Sequence, residues 1–281
     1  MSDRGAVAIT GANGYVGTVL RQAFTKSGYR VLALQRTGSS DCIPYTLEDG
    51  PAVPLPGDVR AVVHCAYDLR ARTPADVERI NLGGTRKLIE KIGDIPLVLI
   101  SSMSAYQGTN QIYGRNKLAC EDLVAAAGGT SLRLGLVYGG TDGGMIGSLL
   151  KLSRLPLIPV LCPDSYQYTV HYEDMAQCII SAVERPTTHR SVGVANPRRV
   201  PFSEILSTLR ATTTDRPLRG LPTPSSWIYR GLRAVEATGL RPPLRADSML
   251  GLIRPAPDVP HVEEWTERGL TLRDFNRSST Q

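Results

Sequence analysis

The chain contains no stretch of 18 apolar residues, so nothing in it predicts a membrane-spanning helix. Its opening residues, Met1-Ser2-Asp3-Arg4-Gly5, have no secretory architecture and run straight into an apolar strand pattern, which predicts a cytoplasmic location. Cysteine is sparse: five residues, Cys42, Cys65, Cys120, Cys162 and Cys178, odd in number and without metal-ligand spacing. That pattern argues against a disulfide framework, predicts reduced thiols and offers no metal site. No basic run is interleaved with aromatics, so the net charge of +6 does not call for nucleic acid; a small phosphate-bearing partner accounts for it as well. There is no internal repeat. With 281 residues and a hydrophobic fraction of 42%, the chain can form one large α/β domain with an appended lobe, or two small domains.

Against these absences stands one specific signal. Thr10-Gly11-Ala12-Asn13-Gly14-Tyr15-Val16-Gly17 follows the apolar run Ala6-Val7-Ala8-Ile9 and precedes a helix-like pattern from Thr18 to Ser27. Strand, glycine turn and helix N-terminus in that order make a phosphate cradle, and this context gives a common glycine pattern its weight. Gly11 permits the tight turn, Gly14 lets the backbone approach a pyrophosphate, and Gly17 lets the helix pack closely on the strand. A dinucleotide site is expected here, with Asn13, Tyr15 and Val16 completing the loop.

Further along, apolar runs and helical periods alternate. Strands are expected at Val31–Leu34, Val59–Ala66, Leu97–Ile100 (ending in Ser101-Ser102) and Ser131–Val137, with a short one near Ile43–Leu47. Helices are expected at Pro74–Ile92, with Thr73 as N-cap, and at Tyr113–Ala127. Such alternation implies a parallel sheet with right-handed crossovers. After Gly139 the texture changes. Gly143-Gly144 reads as a joint, Leu149–Val160 is broken by proline, and a clear helix returns at Asp174–Glu184, which Asp174 would cap. Prolines recur from Arg216 to Pro260. The organisation expected is a dinucleotide-binding domain over 1–140, to which 165–190 returns, and a smaller, irregular substrate lobe over 141–281. Trp227, Ile228, Tyr229, Leu232 and Val235 form an apolar stripe on a helix at Ser226–Thr238, read as core or dimer contact.

A second constellation carries chemistry. Tyr113 and Lys117 lie four apart on a predicted helix and share a face. A phenol titrates near 10, and an ammonium one turn away favours its phenolate. The strand ending in Ser101-Ser102 brings a hydroxyl to the same sheet edge, where it could hold a carbonyl oxygen while Tyr113 exchanges a proton.

In these stretches the chain resembles the extended short-chain dehydrogenase/reductase family of sugar-nucleotide epimerases, dehydratases and reductases. The resemblance rests on Gly11, Gly14 and Gly17; Val62-Val63-His64-Cys65-Ala66; Asn81 to Leu88; Ser101 to Tyr106; and Tyr113-Gly114-Arg115-Asn116-Lys117. It extends through Arg133–Gly139 and Tyr168–Ala176, covering about residues 5 to 185. It implies a Rossmann-type doubly wound parallel sheet and a nicotinamide cofactor. It implies Tyr113 as acid/base, Lys117 as activator and ribose ligand, and Ser102 as the orienting hydroxyl, with Ser104 the runner-up. Cys65, Ala66 and Asn81 would lie on the cofactor side, although Asn81 could equally be a polar residue holding a loop. Relatives of this kind often pair through two helices, so 76–91 and 113–127 are candidates for a homodimer contact. The chain departs from the family in having only ten residues between Ser102 and Tyr113, where a longer substrate loop is usual.

Cofactor preference is read at the end of the second strand. Gln35-Arg36-Thr37-Gly38-Ser39 has no acid to hold a ribose 2′-hydroxyl, and Arg36 would attract a 2′-phosphate. NADP(H) is therefore expected over NAD(H). The expected activity is reduction of a keto group on a nucleotide-linked sugar. An epimerase and a reductase of a non-sugar carbonyl remain alternatives, the short loop favouring the latter. A non-catalytic NADP(H)-binding protein is a third class.

Overall fold

Ala6–Thr10 is buried at every position, as a strand covered on both faces must be. The computed structural model describes residues 4–36, 42–71, 73–140, 143–155, 158–160, 165–214, 220–239, 242 and 244–276. In its first half the elements are β1 (Ala6–Thr10), α1 (Tyr15–Lys26), β2 (Arg30–Gln35), β3 (Cys42–Thr46), β4 (Gly50–Pro51), β5 (Val59–His64), α2 (Pro74–Val77), α3 (Gly83–Ile92), β6 (Leu97–Ser102), α4 (Ile112–Ala126) and β7 (Thr130–Leu134). The second half adds β8 (Leu136–Tyr138), α5 (Gly144–Ser153), β9 (Ile158–Val160), β10 (Tyr166–Gln167), β11 (Thr169–His171), α6 (Tyr172–Glu184), β12 (Ser191–Val194), β13 (Val200–Pro201), α7 (Phe202–Ala211), β14 (Gly220–Pro222), α8 (Ser225–Ala237), α9 (Ala246–Ile253) and α10 (Glu263–Glu267).

The main sheet has the order β12-β7-β6-β5-β1-β2-β3-β4, parallel except for the terminal β3–β4 pair. Alternate side chains of each strand serve opposite faces. Val7 and Ile9 pack with Leu20 and Phe24 of α1 and with Met175 and Ile179 of α6. Ala6 and Ala8 pack with Leu88 of α3 and with Cys120 and Val124 of α4. The strand order reverses between β1 and β5, and such a switch point opens a crevice at the carboxyl ends of the strands. This is the Rossmann-type sheet expected, and β12 extends it at one edge.

Three local expectations are corrected. The expected strand Ser131–Val137 divides at Gly135. A Cβ there would lie 2.7 Å from both the Tyr168 carbonyl and Ala195, so β7 stays in the main sheet while β8 leaves to pair with β11. The helix from Pro74, which Thr73 does cap, widens into one π turn at Glu78–Leu82 before α3. Asp174 does not cap α6. His171 holds that position, accepting from the Glu173 N–H, while buried Asp174 accepts from the Arg273 backbone and guanidinium.

The lobe has its own core, built from Tyr138, Leu149, Leu150, Phe202, Ile205, Leu209, Met249 and Leu252. The α8 stripe divides: Ile228, Tyr229 and Leu232 pack on this core, whereas Trp227 is 69% exposed. The chain finally returns to the sheet, where Trp265 is wholly buried and donates its indole N–H to the Gly193 carbonyl at 2.7 Å. Among the described residues no helix is long and apolar enough to cross a membrane.

Candidate active site

The glycine loop has the shape its sequence predicts. Gly11 takes φ +64°, the left-handed region, and a Cβ there would lie 2.8 Å from the Ala66 nitrogen. A Cβ on Gly17 would lie 2.2 Å from the Gly11 carbonyl oxygen, so α1 packs against the loop without clearance for a methyl group. Gly14 is less constrained by the protein, its Cβ position meeting only the Gly11 oxygen at 3.2 Å. It stands at the N-cap of α1, whose first turn has no side-chain cap and no acid, so the N–H groups there remain available to an anion. Tyr15 turns away from the loop to donate to the Gly139 carbonyl at 2.9 Å, and burial pushes its phenol up to about 12. Val16 packs into the sheet core, and exposed Asn13 accepts from Arg21.

Across the crevice, the Thr10 hydroxyl accepts from the Ala66 N–H and meets His64, which also contacts Thr85. Burial, aided by the charge on Lys117, drives His64 down to about 3 and keeps it neutral. Cys65 lines the crevice, and burial pushes its thiol up to about 12, so it is no nucleophile at neutral pH. Asn81 is buried in the π turn. Its Oδ1 accepts from the Asp68 N–H at 2.6 Å and its Nδ2 donates to the Asp68 carbonyl, so it fastens the loop after β5. Arg36, at the end of β2, is exposed and close enough to Asp68 to help lower that carboxyl, although Arg70 is the main cause. An acid therefore approaches Arg36 from the loop after β5, which the sequence did not reveal. Thr37, Gly38 and Ser39 lie outside the described residues.

Ser102, Tyr113 and Lys117 converge where β6 meets α4. Gly114 makes this possible: a Cβ there would lie 2.2 Å from the Ser104 carbonyl, so α4 sits directly against the turn after β6. The Ser102 hydroxyl accepts from the Ser104 N–H and faces the Tyr113 phenol. Ser101 is diverted to Glu121, which also binds Arg133 and Ser191. Burial raises the Tyr113 phenol to about 12, with Ser102 acting in the opposite sense. Burial, and not the lowering expected of Lys117, sets the direction of this shift. The Lys117 ammonium donates to the Ile100 carbonyl at 2.7 Å and lies 4.8 Å from the centre of the Tyr67 ring, against 6.0 Å for Tyr113. Burial lowers the Lys117 ammonium.

Tyr67 is a residue the sequence reading missed, although it directly follows the quoted Val62–Ala66 stretch. Its ring packs edge-on against Tyr113 with centroids 4.9 Å apart, and its buried hydroxyl has no hydrogen-bond partner. Gln111, 6% exposed, likewise has an unpartnered Oε1.

Gly11, Gly14, Tyr15, Val16, Gly17, Cys65, Tyr67, Ser102, Gln111, Tyr113 and Lys117 border one cavity of about 620 Å³, which runs from the glycine loop to the lobe; Asn13, Arg36, Ala66 and Asn81 are not among its lining residues. There its wall includes Met103, Tyr168, Leu244, Leu252, Pro255 and Ala256, with Gln111, Gln167, Arg245, Asp247 and Ser248 among the polar members. Met103 and Tyr168 fall in stretches quoted for the resemblance, but no motif pointed to the part of the wall from Leu244 to Ala256.

Residues 7–196 match the model of the NAD dependent epimerase/dehydratase family. The chain is 30% identical over 197 residues to a ceramide reductase of Caulobacter vibrioides (strain NA1000 / CB15N), a match covering 65% of this chain and 62% of that protein. It thus spans under two thirds of that relative's length. Two solved structures share the fold. A human epimerase family protein solved with NADPH superposes with a TM-score of 0.74 at 19% identity, covering 98% of this chain and 97% of that one. MoeE5 in complex with UDP-glucose and NAD gives 0.66 at 20% identity, covering 98% and 96%. With a glycine cradle, a Ser-Tyr-Lys cluster and a family match over most of its length, this chain belongs to the NAD dependent epimerase/dehydratase family.

Proposed function

We propose that the chain is an NADPH-dependent reductase of a ketone, with Tyr113 as the proton donor. The observation that carries this reading is the meeting of Ser102, Tyr113 and Lys117 at the middle of a cavity whose one end is the glycine cradle. The cradle fits a dinucleotide, because the space beside Gly11, Gly14 and Gly17 is backbone-lined and uncapped N–H groups face it. Gly11, Asn13, Gly14, Tyr15, Val16 and Gly17 would hold the pyrophosphate side. Cys65 and Ala66 would border the nicotinamide half, and Asn81 would keep their loop in place. Arg36 would meet the 2′-phosphate and select NADP(H) over NAD(H), with Asp68 engaged by Arg70. When bound, NADPH supplies the hydride.

The chain's own residues do the rest. A phenol raised to about 12 keeps its proton at neutral pH, so Tyr113 is loaded as an acid. Ser102 donates to the substrate oxygen and holds it beside the phenol. As negative charge grows on that oxygen, Tyr113 gives up its proton. The Lys117 ammonium, on the same helix face, stabilises the phenolate left behind.

The lobe end favours a carbonyl on an apolar body. Met103, Leu244, Leu252, Pro255 and Ala256 bury hydrocarbon well, and the relative named for ceramide reduction supports the same class. A nucleotide-linked keto sugar is the second reading, favoured by the UDP-glucose named with MoeE5. The helices at 76–91 and 113–127 remain the proposed homodimer contact, to be read by sedimentation.

The test is NADPH consumption against long-chain ketones and keto-sugar nucleotides in parallel. Turnover of either, abolished in Tyr113→Phe with NADPH affinity kept within about threefold, supports the reading. Tightly held NAD released on denaturation, with no net turnover, would move the assignment to an epimerase.

A further inference from the structure

Helix α4 carries Tyr113 and Lys117, yet it has no cap of its own. Gln111 stands at its N-cap and makes no side-chain bond to the first turn. The free N–H groups of a first helical turn need acceptors. Here they are met from a remote part of the chain. Asp247 Oδ1 accepts from the Ile112 N–H at 2.8 Å, and Asp247 Oδ2 accepts from the Tyr113 N–H at 3.2 Å. Asp247 lies in the first turn of α9, in the lobe, so one carboxylate ties the lobe to the backbone of Tyr113 itself. The same end of α9 makes a second tie. The Arg245 guanidinium donates to the Leu69 carbonyl, in the loop that packs Tyr67 against Tyr113. Farther along, Ser248, Gly251 and Leu252 of α9 form part of the cavity wall. Gly251 lets α9 approach the start of α4, since a Cβ there would lie 2.7 Å from Gln111 Oε1.

We propose that Asp247 is a positioning residue: it fixes the Tyr113 end of α4 to α9, so that a substrate seated against α9 is held in register with the phenol. The proposal rests on the reading of Tyr113 as proton donor. Its physical core is the double acceptor, a carboxylate placed where a helix N-terminus favours negative charge. A loose first turn would let the phenol wander, and misplacement by about 1 Å costs roughly a hundredfold in rate. Asparagine at 247 keeps one acceptor oxygen and can satisfy one of the two N–H groups. Alanine satisfies neither.

The direct test needs no substrate. Amide hydrogen exchange is followed on the full chain for Asp247→Ala and Asp247→Asn, with β1 and β6 amides as the internal measure of folding. Loss of both acceptors should speed exchange at Ile112 and Tyr113 by about tenfold, the size of a lost cap bond, with asparagine between. Unchanged exchange at both amides in Asp247→Ala would overturn the proposal. If alanine also releases the β1 and β6 amides, Asp247→Asn decides: acceleration confined to the start of α4 supports the tie, and none refutes it. On a ketone that the unaltered chain reduces, Asp247→Ala should lower kcat at least tenfold while KM and NADPH affinity stay within about threefold. The isotope effect from deuterated NADPH should rise. A KM change alone would place Asp247 in substrate binding instead. Absence of turnover by the unaltered chain would refute the reductase reading, with the exchange result still deciding the tie.

Discussion

Replacing Gly17 by alanine tests the geometry of the cradle directly. The new Cβ would lie 2.2 Å from the Gly11 carbonyl oxygen, 2.8 Å from the Ala12 Cα and 2.9 Å from the Gly11 carbonyl carbon. All three are backbone atoms, so no side-chain rotation relieves the contact. A carbon needs about 3.5 Å from such neighbours, and α1 must therefore move by roughly 1 Å relative to the loop. Leu20 and Phe24 of α1 are wholly buried in the sheet core, so that shift strains packing as well. Overpacking of this kind costs about 1–3 kcal/mol. For a chain of this size that is a fall in Tm of roughly 3–10 °C. The same shift turns the N-terminal N–H groups of α1 away from their anion and should weaken NADPH binding by about a hundredfold, or about 2.8 kcal/mol. Gly14→Ala is the paired control. Its Cβ meets only one protein atom, at 3.2 Å, so Tm should move by less than about 3 °C while NADPH affinity still falls at least tenfold. The assays are thermal unfolding without cofactor and fluorescence titration with NADPH. Gly17→Ala with an unchanged Tm and unchanged affinity would refute the account of the loop.

Three other outcomes are expected. Arg36→Asp should weaken NADPH binding by about tenfold or more and leave NADH binding equal or stronger; parallel titrations decide, and unchanged NADPH affinity would remove Arg36 from the cofactor site. Glu121→Gln should destabilise the chain by about 3 kcal/mol in urea unfolding, because it strips the charge partner of Arg133, whose side chain is 18% exposed against 7% for Glu121. His64, neutral in the folded chain down to about pH 3, binds a proton near pH 6.5 once unfolded. Its folded value is depressed, so the unfolded state holds more protons between those limits and stability falls as pH drops through that window. The slope approaches about 1.4 kcal/mol per pH unit, and His64→Gln should flatten it in unfolding curves between pH 4.5 and 6.5; an unaltered slope would count against a neutral buried His64.

Much of the site was written in local spacing. Gly11 and Gly17 needed only their positions between a strand and a helix, because a missing Cβ is a property of the residue itself. Tyr113 and Lys117 share a face because a helix repeats every 3.6 residues. The strand break at Gly135 was not legible, since its cause is the approach of Tyr168 and Ala195, remote in sequence. Asp174 illustrates the same limit: an acid in a first helical turn reads as a cap, yet its partner is Arg273, 99 residues away. That burial, rather than Lys117, sets the direction of the Tyr113 shift was also not legible, because spacing cannot show that the ammonium lies nearer the Ile100 carbonyl and the Tyr67 ring.

By itself the sequence determined the layered α/β sheet, the cradle at its switch point and the hydroxyl-phenol-ammonium set at the neighbouring strand end. These follow from local periodicity and from side chains that are present or missing. The tertiary structure alone decided what closes over them. Asp247 and Arg245 reach α4 and the Leu69 loop across more than 130 residues, and Met103, Leu252 and Ala256 become one apolar wall. Such contacts depend on where distant segments stop in space, and no local pattern encodes that.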